Sequence, residues 1–69
     1  MKKDTKRFMI WDKYHNEYWY ISHDGSRFAL TNDVEYVKKH SFSETTVIAL
    51  IEYLREFMPI AEPVRVEVK

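Results

Sequence analysis

Three histidines and a few acidic residues are the side chains that could bind a metal ion. His15, His23 and His40 are the only histidines, and each falls in a predicted loop or at a helix end. A metal site needs convergent ligands, and an acid such as Asp12 could join His15 and His23 at one end of a sheet. Their spacing matches no established ligand pattern. The prediction is surface histidines, with no metal and no cofactor.

Catalysis by acidic residues or serines is the second chemistry to consider. Asp12, Glu17 and Asp24 could pair as acid and base, but such a pair needs a pocket that shifts pKa values, and a small core leaves little room for one. Ser41 and Ser43 are better explained as helix caps than as nucleophiles. The single glycine excludes a glycine-rich phosphate loop. The sequence therefore predicts that the protein is not an enzyme.

Aromatic side chains are concentrated in the first third of the chain. Neighbouring side chains of a strand point to opposite faces, so Tyr18 and Tyr20 oppose Trp19. Both faces of this hairpin are apolar, and one long helix can cover only one face. The other face either contacts a partner or is wrapped by a short helix and the chain ends; the sequence leaves both open. The candidate partner-binding residues are Trp11, Tyr14, Tyr18, Trp19, Tyr20 and, at the margin of the main helix's apolar arc, Ile48.

Aromatic residues on a sheet can also stack nucleic-acid bases. The eleven basic and eleven acidic residues cancel, so no overall field attracts a polyanion. The one local excess of positive charge is Lys2, Lys3, Lys6 and Arg7, which is typical of a frayed, solubilising terminus, expected over residues 1–6. No strand interleaves basic and aromatic residues. A nucleic-acid-binding or regulatory domain is therefore the alternative hypothesis, and the sequence argues against nucleic acid as the partner.

Three strands are predicted before any long helix. Residues 7–11, 17–22 and 27–30 are rich in aromatic and β-branched residues, and the segment from Asp12 to Asn16 is polar and turn-prone. Asp24-Gly25 between the second and third strands predicts a hairpin with a type I′ turn, in which both central residues have positive φ. These strands are expected to form an antiparallel meander.

A short helix and a long helix are predicted next. Thr31-Asn32-Asp33 offers capping acceptors for one or two helical turns, and Ser41-Phe42-Ser43-Glu44 matches a capping box, with Ser43 as an alternative cap. The long helix should run to about Met58, before Pro59. One arc of this helix is apolar, and burying it contributes on the order of 9–18 kcal/mol before entropy is subtracted. The arc consists of Val47, Leu50, Ile51, Leu54, Phe57 and Met58.

The last segment predicts an edge strand. Residues 63–69 alternate valines with charges, which is typical of a strand buried on one face. Its open edge could add a strand, but Arg65, Glu67 and Lys69 are interpreted as edge protection. The predicted fold is α+β, a small antiparallel β-sheet in the order β-β-β-α-β with one main amphipathic helix packed on one face. Residues 1–69 are expected to form a single domain.

Size and composition limit the function classes further. A domain of 69 residues buries only roughly 60% of its unfolded surface, so a partner subunit would help to stabilise it. The absence of cysteine fits a reducing cytosol. No apolar run approaches the roughly 20 residues that span a bilayer. The expectation is a soluble, cytoplasmic protein that is not associated with a membrane.

The arrangement of the whole chain resembles small orphan proteins of bacteriophages and mobile elements. The resemblance is carried by the aromatic hairpin from Phe8 to Ile21, the polar-capped segment 31–39, the helix start Phe42-Ser43-Glu44 and the final short strand. It implies an accessory phage product, and that class includes anti-CRISPR proteins and other inhibitors of bacterial defence. Such inhibitors occlude a surface of a larger host protein. They share no motif, so the resemblance assigns no functional residue.

The leading hypothesis is a non-enzymatic protein-binding module of this phage type. It would present an aromatic face or a β edge to a host protein and block it sterically. A homodimeric structural protein that associates through the same face is the closest alternative, since dimerisation would also stabilise a small core.

Overall fold

In the computed structural model, which describes residues 6–69, the chain forms four strands and two helices. The strands are β1 (Phe8–Asp12), β2 (Glu17–Ile21), β3 (Phe28–Thr31) and β4 (Pro63–Glu67), and the helices are α1 (Val34–Lys39) and α2 (Glu44–Phe57). The predicted order of elements is confirmed, as is the α+β class. The frayed segment expected over residues 1–6 lies, up to residue 5, outside the described residues.

All neighbouring strands pair antiparallel in the order β3-β2-β1-β4. β1 is therefore central, with β2 on one side and β4 on the other. Trp11 stands opposite Tyr18 of β2 and Val64 of β4. The meander of the first three strands is confirmed, and the last strand joins the first one, a position that the sequence did not indicate.

Two loops connect the strands of the meander. Asn16 (φ 59°) closes the β1–β2 loop, and its N–H donates to the Asp12 carbonyl at 2.8 Å. In the β2–β3 loop Gly25 has φ 76°, but Asp24 does not have positive φ, so the predicted type I′ turn is wrong. The Asp24 carboxylate instead accepts hydrogen bonds from Ser22 Oγ (2.8 Å) and from the N–H of Ser26 (3.0 Å). These bonds stabilise a longer turn that keeps Asp24 out of the left-handed region.

α2 begins and ends close to the predicted positions. Ser43 is the N-cap, and its Oγ accepts from the Thr46 N–H at 3.3 Å, so the alternative cap is the correct one. Ser41 is occupied elsewhere, because its Oγ lies 3.3 Å from Arg7 Nε. The helix ends at Phe57, with Met58 as its C-cap, one residue before Pro59.

The main core lies between α2 and one face of the sheet. Val47, Ile51 and Leu54 of α2 are buried, and the partly buried Leu50 and Met58 pack against the same cluster. The sheet contributes the buried side chains Phe8, Ile10 and Trp19, together with Phe42 and Ala61 from the connecting segments. The packing of the main helix on one face of the sheet is confirmed.

Phe57 is the exception to the predicted apolar arc. Its side chain is 67% exposed, and its ring stacks on that of Tyr53 with centroids 5.3 Å apart and planes 10° apart. Because residues four apart on a helix are neighbours, the two rings pack on each other along the outside of α2. The prediction of Phe57 as a core residue is therefore wrong.

β4 presents its charges to the α2 side of the sheet. The Arg65 guanidinium lies 5.2 Å from the centroid of the Phe8 ring and donates to Glu44 Oε2 of α2 at 3.3 Å. Val64 and Val66 consequently face the opposite side, where Val64 is 37% exposed. The predicted edge strand is confirmed, but its valine side is only half covered.

Candidate protein-interaction surface

The side of the sheet that α2 does not cover carries two rows of side chains. Cross-strand neighbours share a face, so the paired residues Met9 and Val66 belong to one row. The other row crosses all four strands through the registers Val64–Trp11, Trp11–Tyr18 and Tyr18–Thr31. We call this second row, which consists of Val64, Trp11, Tyr18 and Thr31, the aromatic row.

α1 packs on the β1 and β2 part of the first row and leaves the aromatic row open. Met9 is only 4% exposed and Val37 of α1 is 1% exposed. Tyr36 of α1 meets Tyr20 edge to face, with ring centroids 5.5 Å apart. α1 has six residues and spans only about 9 Å, whereas a row that crosses four strands about 4.8 Å apart is about 14 Å long. The second face is therefore half wrapped, an outcome between the two alternatives that the sequence left open.

Trp11 and Tyr18 form the centre of the aromatic row. Their rings pack edge to face, with centroids 4.8 Å apart and planes 66° apart, and both side chains are half-buried. This contact restricts the rotamers of both rings. Tyr14 lies in the β1–β2 loop at the same end of the sheet, is 55% exposed, and contacts the His15 ring at 4.9 Å. Three of the candidate partner-binding residues are thus at one end of the molecule.

The remaining candidates lie elsewhere. Trp19 points to the α2 side and is 4% exposed, so it offers almost no surface to a partner. Tyr20 is half-buried against Tyr36 at the border of the α1-covered row. Ile48 is 46% exposed on α2, where it lines a groove of about 400 Å³ between α2 and β4. The structure therefore brings together Trp11 and Tyr18, places Tyr14 in the loop at the same end of the sheet, and separates Trp19 and Ile48 from them.

Asp12 is the most highly connected polar side chain of the described residues. It is fully buried, and its Oδ1 accepts from the N–H groups of Tyr14 (2.9 Å) and His15 (3.0 Å). Its Oδ2 accepts from Trp19 Nε1 at 2.8 Å and from His15 Nδ1 at 2.9 Å. The Glu62 N–H, just before β4, adds a long contact of 3.5 Å to Oδ1.

These contacts determine the charge state of Asp12 and its role. Burial raises the pKa of the carboxyl group, but the hydrogen bonds from His15, Trp19 and Glu62 together outweigh burial and hold the pKa below its ordinary value. Both oxygens are engaged by protein donors. Asp12 therefore acts as a structural tie between the β1–β2 loop, the core indole and the start of β4. From the sequence Asp12 was a candidate acid or metal ligand only, and this structural role was missed.

The other histidines do not join Asp12 and His15. His23 is exposed in the β2–β3 loop, and His40, after α1, lies 4.4 Å from the Tyr36 ring. Among residues 6–69, no three histidine, aspartate or glutamate side chains come close enough to hold a metal ion.

A second exposed aromatic cluster was not predicted from the sequence. Tyr53 is 51% exposed and lies between Phe57, on which it stacks, and Phe28 of β3, whose ring centroid is 6.3 Å away. This cluster is on the α2 side and is separate from the aromatic row. The spacing of four residues between Tyr53 and Phe57 was the available signal, since aromatic pairs at this spacing can stack along the outside of a helix.

Comparison with protein-family models, with curated proteins and with solved structures finds no match for the chain. Within the described part of the chain, neither helix has the length and apolar character needed to cross a membrane.

Proposed function

We propose that the protein is a non-enzymatic protein-binding module whose contact surface is the aromatic row. In this proposal it is an accessory protein of the phage type that acts in the host cytoplasm. It binds a host protein and inhibits that protein by covering part of its surface. The observation that carries the proposal is the edge-to-face pair of Trp11 and Tyr18 on a sheet face that α1 covers only in part.

The energetics of the row favour a protein partner. Tryptophan and tyrosine each bury about 150–250 Å² and lose little rotamer entropy, because they have only two side-chain torsions. The contact between Trp11 and Tyr18 further restricts both rings before binding. Val64 and Thr31 extend the row to both edges of the sheet with small side chains. Interface hot spots are enriched in tryptophan and tyrosine and lie near the centre of the interface, within a ring of contacts that contribute little energy.

The polar groups near the row support binding rather than catalysis. The Asp12 carboxylate, which is the buried acid closest to the row in sequence, has both oxygens occupied by donors from Tyr14, His15 and Trp19. A group engaged in this way is poorly placed to take a proton from a substrate. Steric occlusion needs no such group, so the proposed mechanism requires only shape and apolar area.

The test compares single substitutions on the two exposed aromatic clusters. The intact chain is used to capture a protein from host lysate, and the identified protein is then titrated with each variant. Trp11→Ala and Tyr18→Ala should each weaken binding by about 30-fold, the effect of losing about 2 kcal/mol at a hot spot. Tyr53→Ala is the matched control, because it removes an exposed aromatic ring from the other face, and binding should change less than 2-fold.

Two further measurements keep the outcome interpretable. Circular dichroism establishes that each variant is folded, and Thr31→Lys obstructs the row without removing an aromatic ring, so it should weaken binding by a similar factor. Equal affinities for the parent chain, Trp11→Ala and Thr31→Lys would refute the proposal. Saturable binding of a labelled single-stranded oligonucleotide that is lost in Trp11→Ala would also contradict it, in favour of base stacking on the same row.

A further inference from the structure

The outer edge of β4 has unpaired backbone groups in a regular pattern. β4 pairs with β1 alone within residues 6–69. The Val68 N–H donates to the Arg7 carbonyl and the Lys13 N–H donates to the Glu62 carbonyl, in the same register as the rest of the β1–β4 pair. Because hydrogen-bonded residues alternate along an antiparallel strand, Val64 and Val66 also direct their backbone groups to β1. The N–H and C=O groups of Arg65 and Glu67 therefore point outward.

We infer that this edge pairs antiparallel with β4 of a second copy of the chain, with the two-fold axis at Val66. The two four-stranded sheets would then form one continuous sheet of eight strands. The inference concerns the β4 edge, whereas the proposed function concerns the aromatic row, and the two share only Val64.

The charges on β4 select one register of this pairing. With the axis at Val66, Arg65 of each copy stands opposite Glu67 of the other, which gives two ion pairs across the interface. Moving the register by one hydrogen-bonded step places Arg65 opposite itself or Glu67 opposite itself, and like charges directly opposite each other are destabilising. Arg65 and Glu67 are also the residues whose backbone groups point outward, so the same residues supply the hydrogen bonds. Among these alignments, the one with the axis at Val66 pairs Arg65 with Glu67 twice.

The other side of β4 is equally self-complementary. In the same register Val66 faces its own copy, and Val64 faces Val68 of the second copy. Val64 is 37% exposed, and Val66 and Val68 are half-buried in the single chain, so pairing would cover apolar area that α1 leaves open. Pro63, at the start of β4, lacks an N–H, but the missing donor would point outward and not toward β1. The proline therefore leaves the β1–β4 pairing intact.

α2 adds a second contact above the paired strands. It packs over β1 and β4, and Ile48, Glu52 and Arg55 line the groove that faces the β4 edge. Strands pair about 4.8 Å apart, so a second copy at this edge would bring its own α2 close to the first, within the usual range of about 8–10 Å for packed helices. Ile48, which is 46% exposed, would then lie between the two helices.

The intrachain ion pair of Arg65 does not prevent the proposed contact. Arg65 Nη1 donates to Glu44 Oε2 at 3.3 Å, and both side chains are nearly half exposed. A guanidinium group has five N–H donors, so it can bind a second carboxylate while it keeps the first. Arg65 and Glu67 were expected from the sequence to protect the edge, but their opposite signs also allow two antiparallel copies to place unlike charges opposite each other.

The experiment is sedimentation equilibrium of the intact chain over a dilution series at low salt. The parent chain should reach twice the 8.4 kDa mass of one chain at high concentration. Arg65→Glu and Glu67→Arg each place like charges opposite each other and should raise the dimer dissociation constant at least 10-fold. The double variant with both substitutions restores opposite charges and should return the constant to within about 3-fold of the parent value. A structural role of either residue alone would not produce this rescue.

Two control variants show whether dimerisation depends on the β4 edge itself. Glu44→Gln removes the intrachain partner of Arg65 and should leave dimerisation intact. Trp11→Ala alters the aromatic row and should also leave dimerisation intact. The dimerisation test therefore stays valid even if the aromatic row binds no host protein. A mass of one chain at all concentrations up to about 1 mM would overturn the inference. A dimer that neither charge reversal weakens would do so as well.

Discussion

Replacing Asp12 by asparagine tests the structural tie at the centre of the fold. The carboxylate accepts from two backbone N–H groups through Oδ1 and from Trp19 Nε1 and His15 Nδ1 through Oδ2. An amide has one acceptor oxygen, so one side of the group would present N–H to these donors. His15 can change its tautomer and accept a hydrogen bond, but the Trp19 indole can only donate. Asp12→Asn therefore leaves a buried indole N–H without an acceptor.

The expected cost follows from these contacts. An unpaired buried donor costs about 1–3 kcal/mol, and loss of the charge on the remaining acceptor weakens the other bonds by about 1 kcal/mol. We expect Asp12→Asn to lower the free energy of unfolding by about 2–4 kcal/mol. A domain of this length has about 3–10 kcal/mol in total, so the loss is a large fraction of it.

A double-mutant cycle with Trp19→Phe isolates the key hydrogen bond. Trp19→Phe removes the indole donor, so Asp12→Asn should cost about 1–2 kcal/mol less in that background. Urea denaturation followed by far-ultraviolet circular dichroism at pH 7 gives the four free energies. If the two substitutions are additive to within about 0.3 kcal/mol, the indole contact does not stabilise the fold and the reasoning fails.

The same cycle has a predictable pH dependence. The pKa of Asp12 lies below its ordinary value of 3.8 in the folded chain, so the unfolded chain binds the proton more readily. The stability that the carboxylate contributes is complete above about pH 4 and is lost as the pH falls through the lower folded-state value. The difference in unfolding free energy between the parent chain and Asp12→Asn should therefore become smaller below pH 4. A difference in unfolding free energy that stays constant down to pH 2 would contradict a lowered pKa for Asp12.

Four further substitutions test other elements of the fold. Ser43→Ala should lower the free energy of unfolding by about 1 kcal/mol in urea denaturation, because it removes the acceptor for the Thr46 N–H in the first turn of α2. An unchanged free energy of unfolding would mean that the cap is dispensable. Leu54→Ala should lower the free energy of unfolding by about 2–5 kcal/mol, because the side chain is 1% exposed. Phe57→Ala should lower it by less than about 1 kcal/mol, because that side chain is 67% exposed. A larger loss in Phe57→Ala than in Leu54→Ala would contradict the packing of α2. Hydrogen bonds from Ser26 and Ser22 lower the pKa of Asp24 to about 2. Between pH 4 and pH 2 the melting temperature should therefore fall less in Asp24→Asn than in the parent chain. Equal falls in melting temperature would argue against those hydrogen bonds.

Local patterns in the sequence predicted the elements well, because the residues that decide an element lie close together along the chain. The two helices, their approximate ends and the first three strands follow from capping residues, turn residues and apolar periodicity. The type I′ turn failed because Asp24 finds two serine donors in its own loop, a choice between two turn geometries that the Asp-Gly pair alone does not settle. The prediction for Phe57 failed because the apolar arc of α2 predicts which way a side chain points from the helix. It does not predict whether the sheet extends far enough to cover that side chain.

The candidate surface depended on information that one sequence does not contain. Alternation correctly placed Tyr18 and Trp19 on opposite faces, but it could not say which face would meet α2. The pairing of β4 with β1 placed Val64 beside Trp11 and extended the row to the sheet edge. That pairing joins residues about fifty positions apart, and the 3.5 Å contact from the Glu62 N–H to Asp12 depends on it too. The pairing of strands that lie far apart along the chain, such as β1 and β4, was not predictable from the sequence.

The antiparallel pairing of β1 and β4 also determines how the protein responds to force. Phe8 stands opposite Glu67, so the outer ends of the two strands meet at the same end of the sheet. A pull applied between these residues loads the interstrand hydrogen bonds one after another and not all together. The strands should unzip at low tension, with β4 peeling away before the hairpin or α2 yields. Machinery that draws the chain in from the β4 end would therefore open the β1–β4 pair one hydrogen bond at a time.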